Sequence, residues 1–191
     1  MKKYLLLLIL FFGSITSISA ETNRIISGNK NAKIIIIAYE SLTCSHCANF
    51  HNEIYPQLKR DYIDTGLAKI EFRHFPLDIA ALNASKIAQC NEDQSLEILK
   101  SLYSNQQAWV KGSTVEQINK NLREFIEKEN FKLDFEKCIN NKEIEDFILN
   151  DRIEGTKKFK VNATPTIIIN NKKFEKSLNY KNLKKSLEKL I

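Results

Sequence analysis

The chain has 191 residues, of which 29 are Lys or Arg and 23 are Asp or Glu, so its formal net charge is +6. This length predicts one domain, or one domain that carries an insertion. The lysines alternate with glutamates over 119–129 and 134–151, and no basic stripe is interleaved with aromatic residues. These features argue against nucleic acid as a partner.

The first twenty residues are typical of a secretory signal peptide. Two lysines precede an apolar stretch over 4–12, and small residues follow over 13–20. We expect cleavage after position 19 or 20 and export to the periplasm, with an uncleaved N-terminal anchor as the alternative. No other apolar stretch approaches membrane-spanning length, so stable membrane insertion is not expected. In an oxidising compartment, the four cysteines are first interpreted as disulfide chemistry.

Two strands and a helix are predicted in the next part of the chain. A continuous isoleucine-rich run over 33–39 predicts a strand that is buried on both faces. Residues 44–62 show helical periodicity, and Pro56 is expected to kink or split that helix. Gly66 precedes an alternating strand over 68–75. A right-handed strand–helix–strand crossover is the expected assembly.

The pattern is helical only from Ile79 to Phe159, with segments near 80–91, 95–110, 115–129, 132–140 and 143–159. Strand composition returns at 167–169, where Asn170-Asn171 predicts a two-residue hairpin turn before a short strand over 173–176. A last helix places Leu183, Leu187 and Leu190 on one face. The predicted fold class is α/β, interrupted by an all-helical block of roughly eighty residues.

Cys44-Ser45-His46-Cys47 stands where the first strand gives way to the helix. Two cysteines at this spacing can close a small exposed disulfide, and the unpaired N–H groups at the helix N-terminus stabilise a thiolate at Cys44. His46 can add a cation that favours the reduced state and makes the disulfide more oxidising. The alternative for His46 is a surface histidine without electronic influence. Ser45 can donate a hydroxyl hydrogen bond.

The same cysteine spacing also occurs in zinc sites, which need four ligands. The remaining candidate ligands do not form a second paired set, so no metal site is predicted: they are Cys90, Cys138, His51 and His74. The two histidines are interpreted as packing or hydrogen-bonding residues. Cys90 and Cys138 fall in predicted helices, and either a bridge between those helices or two free thiols is compatible with the sequence.

Thr164-Pro165-Thr166 opens the strand at 167–169. Proline cannot donate to a strand ladder, so it is either an ordinary edge proline or a cis-proline. A cis bond would present the backbone of Thr164 to an incoming peptide.

Three stretches together resemble the DsbA-like thiol-disulfide oxidoreductases of bacterial periplasms: 41–48 with the cysteine pair, 72–77, and the Thr164-Pro165-Thr166 loop. The resemblance covers nearly all of the chain after the signal segment. It implies a thioredoxin fold with an all-helical insertion: 21–78 is the first part of the thioredoxin domain, 79–159 the insertion and 160–191 the second part.

The resemblance also implies roles for single residues. Cys44 is the nucleophile and Cys47 its buried partner, while Pro165 is a cis-proline and Thr164 pairs with substrate backbone. Cys90 and Cys138 form a structural disulfide. The chain departs from the family at two places: Ser45 replaces the usual proline, and Ala38 stands where a buried acid is common. We expect Glu40 to take over the proton handling of that acid.

These features together predict a periplasmic dithiol oxidase, a monomer that introduces disulfides into unfolded or reduced exported proteins. Its only redox group would be the Cys44–Cys47 disulfide, without a bound cofactor, and a DsbB-type membrane quinone oxidase would reoxidise it. A disulfide isomerase or reductase is the first alternative. A copper chaperone that uses Cys44, Cys47 and His46 is a second, and a surface antigen on a retained thioredoxin scaffold is a third.

Overall fold

The computed structural model describes residues 23–191, and the predicted signal peptide lies outside the described residues. Within them, one sheet has the strand order β1-β3-β2-β4-β5. β2 and β3 are parallel, and the other neighbouring strands are antiparallel. The strands are β1 (Ile25–Gly28), β2 (Ile34–Glu40), β3 (Ala68–His74), β4 (Thr166–Ile169) and β5 (Lys172–Lys173).

The central strand β2 is buried on both faces, as its isoleucine run predicts. Ile36 and Ala38 belong to the large core on one side of the sheet. Ile37 and Tyr39 belong to a smaller core on the other side, together with Phe159 at the end of a long helix. The strand that leads to the cysteine pair is therefore held from both sides.

The helix that follows the cysteine pair is interrupted, as Pro56 predicts. α1 (Ser45–Asn49) and α2 (Tyr55–Leu58) are separated by a π-helical turn at Phe50–Ile54, and a second π-helical turn follows at Lys59–Ile63. Pro56 lies in the first turn of α2. A proline has no N–H to donate, and the wider turn before it avoids the hydrogen bond that a regular helix would require.

Helices occupy the segment between β3 and β4. They are α3 (Ile79–Gln89), α4 (Ser95–Ser104), α5 (Gln106–Trp109), α6 (Val115–Glu129), α7 (Phe135–Ile139) and α8 (Lys142–Phe159). The single helix predicted near 95–110 is two helices, because the backbone leaves the helical region at Asn105. Among residues 23–191, no helix is both long enough and apolar enough to cross a bilayer.

A disulfide joins Cys90 and Cys138, with a Cα–Cα distance of 5.5 Å, so the predicted pairing is confirmed. It connects the end of α3 to α7. The two cysteines are 48 residues apart in sequence. A bridge of this span contributes about 4 kcal/mol to the free energy of unfolding in the chain-entropy description.

Three further elements differ from the sequence-based expectations. β1 was not predicted, because only one of its two buried residues, Ile25, is apolar; the other is Ser27, which accepts a hydrogen bond from the Tyr55 hydroxyl. β5 comprises Lys172–Lys173 and not 173–176. α9 (Tyr180–Leu187) ends before Leu190, which is exposed and does not share the buried face of Leu183.

The hairpin turn at Asn170-Asn171 is confirmed, since both residues have positive φ angles. The sheet, the crossover helix between β2 and β3, and the helical segment before β4 together form a thioredoxin fold with a helical insertion. The predicted fold class is confirmed.

Candidate active site

Cys44 lies at the N-terminus of α1, directly after the loop that leaves β2. It has an extended backbone and is the N-cap residue of the helix. The loop is fixed at both ends: the Cys44 N–H donates to the Ser41 carbonyl at 3.0 Å, and the Thr43 hydroxyl donates to Asp78 Oδ2 at 2.7 Å. The sulfur of Cys44 is thus presented at a helix N-terminus, as the sequence predicts.

The two sulfurs of the pair differ in their electrostatics. A hydrogen bond from the Cys47 thiol, with further hydrogen bonds from Thr164 and from the backbone N–H groups of Cys47 and His46, lowers the pKa of Cys44 to about 5 against the opposing effect of burial. Burial raises the pKa of Cys47, and its hydrogen bond to Cys44 and the charge of Glu40 act in the same direction. Cys44 is partly buried and Cys47 is fully buried, and neither is in a disulfide.

The loop that contains Pro165 lies against Cys44. The Thr164–Pro165 peptide bond is cis. The Cys44 thiol is 3.4 Å from the Thr164 carbonyl, to which it donates when protonated. The Thr164 hydroxyl is buried without a hydrogen-bond partner among residues 23–191, so it is available to donate to the ionised sulfur. The structure therefore brings Thr164 and Pro165 to the cysteine pair.

Ser45 and His46 are exposed between the two cysteines. The hydrogen bond that His46 provides to the Cys44 sulfur comes from its backbone N–H. The predicted electronic role of the His46 imidazole and the predicted hydroxyl role of Ser45 stay predictions.

A buried acid–histidine pair lies behind the site. Glu40 Oε2 and His51 Nε2 are hydrogen bonded at 2.8 Å, and both side chains are almost completely buried. The His51 ring stacks on Tyr103, with 4.1 Å between the ring centroids. Burial raises the pKa of Glu40, and the neighbouring His51 opposes that effect. Ala38, at the place of the common family acid, is a fully buried core residue.

Gln106 is a site residue that the sequence did not indicate. Its side-chain Nε2 donates to the carbonyl oxygens of Leu42 and Cys44 at 2.7 and 3.1 Å. Gln106 begins α5 of the insertion, so the insertion holds the active-site loop directly. No local pattern reveals this contact, because 64 residues separate Gln106 from Leu42.

We predict that Gln106→Leu lowers the free energy of unfolding by about 2 kcal/mol, because the buried Leu42 carbonyl loses its donor. Urea unfolding at pH 7 measures this change. Gln107→Leu is the matched control, since Gln107 is the next residue and is exposed. We expect a change below about 0.5 kcal/mol for the control. Equal effects of the two substitutions would show that the hydrogen bonds of Gln106 do not stabilise the loop.

The other residues considered for metal binding have different roles. His74 is buried and its Nε2 is hydrogen bonded to Gln89 Oε1 at 3.3 Å. Cys90 and Cys138 are in the disulfide. Across residues 23–191, no group of three or more His, Cys, Asp or Glu side chains is arranged to hold a metal ion.

The fold and the site together define a class, the thioredoxin-fold proteins with a cysteine pair at the first helix. In agreement with this, the family model described as "Thioredoxin" matches residues 20–189. The chain is similar to the crystal structure of alpha-DsbA1 from Wolbachia pipientis, with 32% sequence identity, a TM-score of 0.79, and coverage of 88% of this chain and 90% of that one.

Curated relatives agree with the structural match. A "Putative protein-disulfide oxidoreductase" of Rickettsia bellii is 29% identical over 78% of this chain and 58% of its own length. "Disulfide bond formation protein D" of Bacillus subtilis is 25% identical over 85% of this chain and 74% of its own length. The chain belongs to the thioredoxin family, in its DsbA-like branch. It spans about three-fifths of the length of the first rickettsial relatives, 58% and 62%.

Proposed function

We propose that the protein is a periplasmic thiol-disulfide oxidoreductase that acts as a dithiol oxidase on reduced exported proteins. The observation that carries the proposal is the contrast between the two sulfurs. Cys44 has a pKa of about 5, whereas the pKa of Cys47 is raised. A couple whose reduced form holds a stable thiolate gives up its disulfide readily. The names of the rickettsial and Bacillus relatives support this function.

The reaction begins on the oxidised protein. A substrate thiolate attacks the Cys44 sulfur, the Cys44–Cys47 bond breaks, and Cys47 leaves with the electron pair and takes up a proton. A second substrate thiolate then attacks the substrate sulfur of the mixed disulfide, and Cys44 leaves as a stabilised thiolate. The substrate dithiol loses two electrons and two protons. One proton stays on Cys47 and the other goes to solvent.

The proton on Cys47 needs a nearby donor, because this sulfur is fully buried. We assign that role to Glu40. The negative charge of Glu40 raises the pKa of Cys47, and burial raises the pKa of Glu40 itself. Glu40 therefore holds a proton more readily than an exposed acid does. Its Oε1 is buried without a hydrogen-bond partner among residues 23–191, while Oε2 is engaged by His51. Glu40 thus takes the place of the acid that the family carries at the position of Ala38.

We expect Glu40→Gln to slow the reduction of the protein disulfide by glutathione about tenfold at pH 7, because Cys47 then leaves without its proton donor. The second-order rate constant is measured from pH 5 to 8. A purely structural role would lower stability without altering the pH profile. Glu53→Gln is the matched control, since Glu53 is an exposed acid on the same helical stretch. An unchanged pH profile for Glu40→Gln would exclude the proton-handling role.

Refolding of two forms of one multi-disulfide protein tests the direction of the reaction. The oxidase proposal predicts that the oxidised protein accelerates recovery of the fully reduced form much more than recovery of the scrambled form. The opposite order would favour the isomerase or reductase alternative. Faster recovery of neither form would reject the oxidoreductase proposal.

The proposal includes a way to regenerate the disulfide. After each cycle the Cys44–Cys47 pair is reduced, and a membrane quinone-linked oxidase of the DsbB type would accept its two electrons. In this proposal the protein acts as a monomer and needs no bound cofactor, because the cysteine pair itself carries the electrons.

A further inference from the structure

A group of exposed aliphatic side chains lies at the end of the sheet remote from the cysteine pair. Among residues 23–191, seven large hydrophobic residues are exposed. Three of them line one hollow of about 430 Å³: Leu67, Leu190 and Ile191, which are 39%, 46% and 70% exposed. Ile35 is also exposed and follows Ile34, which lines the same hollow. Exposed aliphatic residues that cluster in this way mark an interaction surface more often than isolated ones do.

The hollow lies at the N-terminal ends of the two parallel strands. Residues 31–33 before β2, residues 66–67 before β3 and residues 190–191 after α9 contribute to its walls. Cys44 follows the opposite end of β2, whose seven residues span about 20 Å. The hollow and the active site are therefore at opposite ends of the sheet.

Lysines without acidic partners surround the hollow. Lys33 lines it, Lys30 lies in the same loop, and Lys189 lies in the segment after α9. Lys172 follows the hairpin turn that is hydrogen bonded to the β2 backbone. All four are exposed, and within the described part of the chain none is in an ion pair. These lysines and the aliphatic residues form the basic pole: Lys30, Lys33, Lys172, Lys189, Ile35, Leu67, Leu190 and Ile191.

Acidic side chains do not offset the charge of the basic pole. No Asp or Glu side chain lines the hollow. Asp64 is paired with Lys59, and Glu188 is paired with Lys184. The charges of the four lysines are therefore left for a partner, and that partner must present negative charge next to an apolar surface.

We propose that the basic pole docks reversibly on a bilayer surface that contains anionic lipids. Such a surface presents negative headgroups above an acyl region, which matches lysines around aliphatic side chains. The lysine stems can lie along the aliphatic residues while their ammonium groups reach the headgroups. A second copy of the chain is a poorer match, because two facing poles would bring the lysines of both copies together.

Docking through the basic pole leaves the cysteine pair accessible. The active site lies at the other end of the sheet and would face away from the bilayer, so exported proteins could reach Cys44 while the protein is bound. The proposal goes beyond the proposed function and does not depend on it, because binding to a lipid surface requires no redox chemistry. Failure of either proposal therefore leaves the other intact.

Co-sedimentation with vesicles tests the docking. The exported protein is mixed with vesicles of phosphatidylcholine alone or of phosphatidylcholine with phosphatidylglycerol, at low and at high salt. We expect at least about tenfold stronger binding to the anionic vesicles, because each lysine near an anionic surface strengthens binding roughly fivefold. Salt should weaken this binding, since it screens the attraction. Equal binding to both kinds of vesicle, or binding to neither, would overturn the proposal.

A charge variant locates the contact. The double variant Lys30→Gln/Lys33→Gln should lower the partition coefficient on anionic vesicles about twentyfold, the product of two lysine contributions. Lys100→Gln/Lys128→Gln is the matched control, since it removes the same charge from exposed lysines of α4 and α6 in the insertion. We expect the control to stay within about twofold of the unsubstituted protein, because charges far from the contact are screened.

The aliphatic contribution is tested by Leu67→Ser. This variant should lower binding to anionic vesicles about tenfold, because it removes an aliphatic side chain that would contact the lipid. Ile153→Ser is the matched control, since Ile153 is an aliphatic residue of α8 that is 48% exposed and lies outside the pole. We expect the control to bind as the unsubstituted protein does. Circular dichroism and thermal unfolding establish that each variant is folded.

The accessibility of Cys44 tests the orientation of the bound protein. The rate of alkylation of the reduced protein by a water-soluble reagent should be the same in free solution and on anionic vesicles. A rate that falls severalfold on binding would show that the active site faces the bilayer, which contradicts docking through the basic pole.

Three other results would assign the pole to a different role. Vesicle binding that is unchanged in both the lysine double variant and Leu67→Ser would place the lipid contact elsewhere and overturn the proposal. A dimer that dissociates in Leu67→Ser, without vesicle binding, would assign the pole to a second copy of the chain. Binding of polyglutamate that is tighter than vesicle binding and survives Leu67→Ser would assign it to an acidic polypeptide.

Discussion

Cys44→Ser should abolish the oxidation of a reduced protein substrate, whereas Cys47→Ser should stop the reaction with a disulfide-containing substrate at a mixed disulfide. Without the Cys44 sulfur there is no accessible electrophile in the oxidised protein and no low-pKa thiolate in the reduced one. The rate is expected to fall to that of the uncatalysed thiol reaction. A thiolate-trapping assay of the substrate measures the rate, and both variants are compared with the unsubstituted protein.

The Cys47→Ser variant tests the order of the two sulfurs. Its remaining Cys44 thiolate attacks a substrate disulfide, and no buried thiol is available to release the product. The mixed disulfide should accumulate to near stoichiometry and be visible by mass spectrometry as one protein plus one substrate chain. A mixed disulfide trapped by Cys44→Ser instead would reverse the assignment of nucleophile and partner.

The disulfide between Cys90 and Cys138 provides a matched control for cysteine removal. Replacing both cysteines by alanine removes two sulfurs that take no part in the proposed exchange reaction. We expect this double variant to keep the rate at which it oxidises the reduced protein substrate while its unfolding temperature falls, because the bridge stabilises the insertion. Loss of exchange in the double variant at a temperature where it is folded would place the second pair in the reaction.

The second large effect concerns the pH at which the Cys44 thiol ionises. The absorbance of the reduced protein at 240 nm should show one thiolate titration with a midpoint of about 5. Cys47 should not contribute below pH 8, because its pKa is raised. Cys44→Ser should lose the step entirely. A midpoint near the ordinary thiol value of 8.5 would contradict the electrostatic basis of the proposed function.

The same shift makes the stability of the reduced protein depend on pH. Since the pKa of Cys44 is lower in the folded than in the unfolded chain, folding is favoured where the thiolate is present. This contribution is complete above the ordinary thiol pKa and is lost as the pH falls through about 5. We expect about 3 kcal/mol, a value already reduced because the sulfur is partly exposed. Urea unfolding of the reduced protein and of Cys44→Ser at pH 8 and pH 4.5 measures it.

The pKa also limits how oxidising the couple is. At pH 7 a thiol with a pKa near 7 is half ionised, whereas Cys44 is almost fully ionised. This difference in ionisation stabilises the reduced form relative to the disulfide by about 2 kcal/mol after allowance for exposure, which corresponds to about 40 mV. This is less than the roughly 150 mV that separates thioredoxin from a strong oxidant. Equilibration with glutathione should therefore give the couple a reduction potential between those of thioredoxin and the strong oxidant, unless other contacts of the disulfide form add to the difference in potential.

The sequence determined the parts of this protein that depend on neighbours along the chain. The isoleucine run of β2 fixed a strand buried on both faces, and Pro56 fixed the interruption of the following helix. Cys44 and Cys47 are three residues apart at the start of a helix, so their placement at a helix N-terminus follows from local pattern alone. The Asn170-Asn171 turn is local in the same way.

Only the tertiary structure decided how distant groups meet at the cysteine pair. It brought Thr164 against Cys44, Gln106 to the Leu42 carbonyl, and His51 to Glu40. No periodic pattern in the sequence reveals these contacts, because each joins residues of different elements that only the folded chain brings together. β1 was not predicted for a related reason: one of its two buried residues is a serine, which accepts a hydrogen bond from a tyrosine hydroxyl of another element. Local periodicity therefore placed the reactive sulfur, whereas its electrostatics depend on groups that the fold assembles around it.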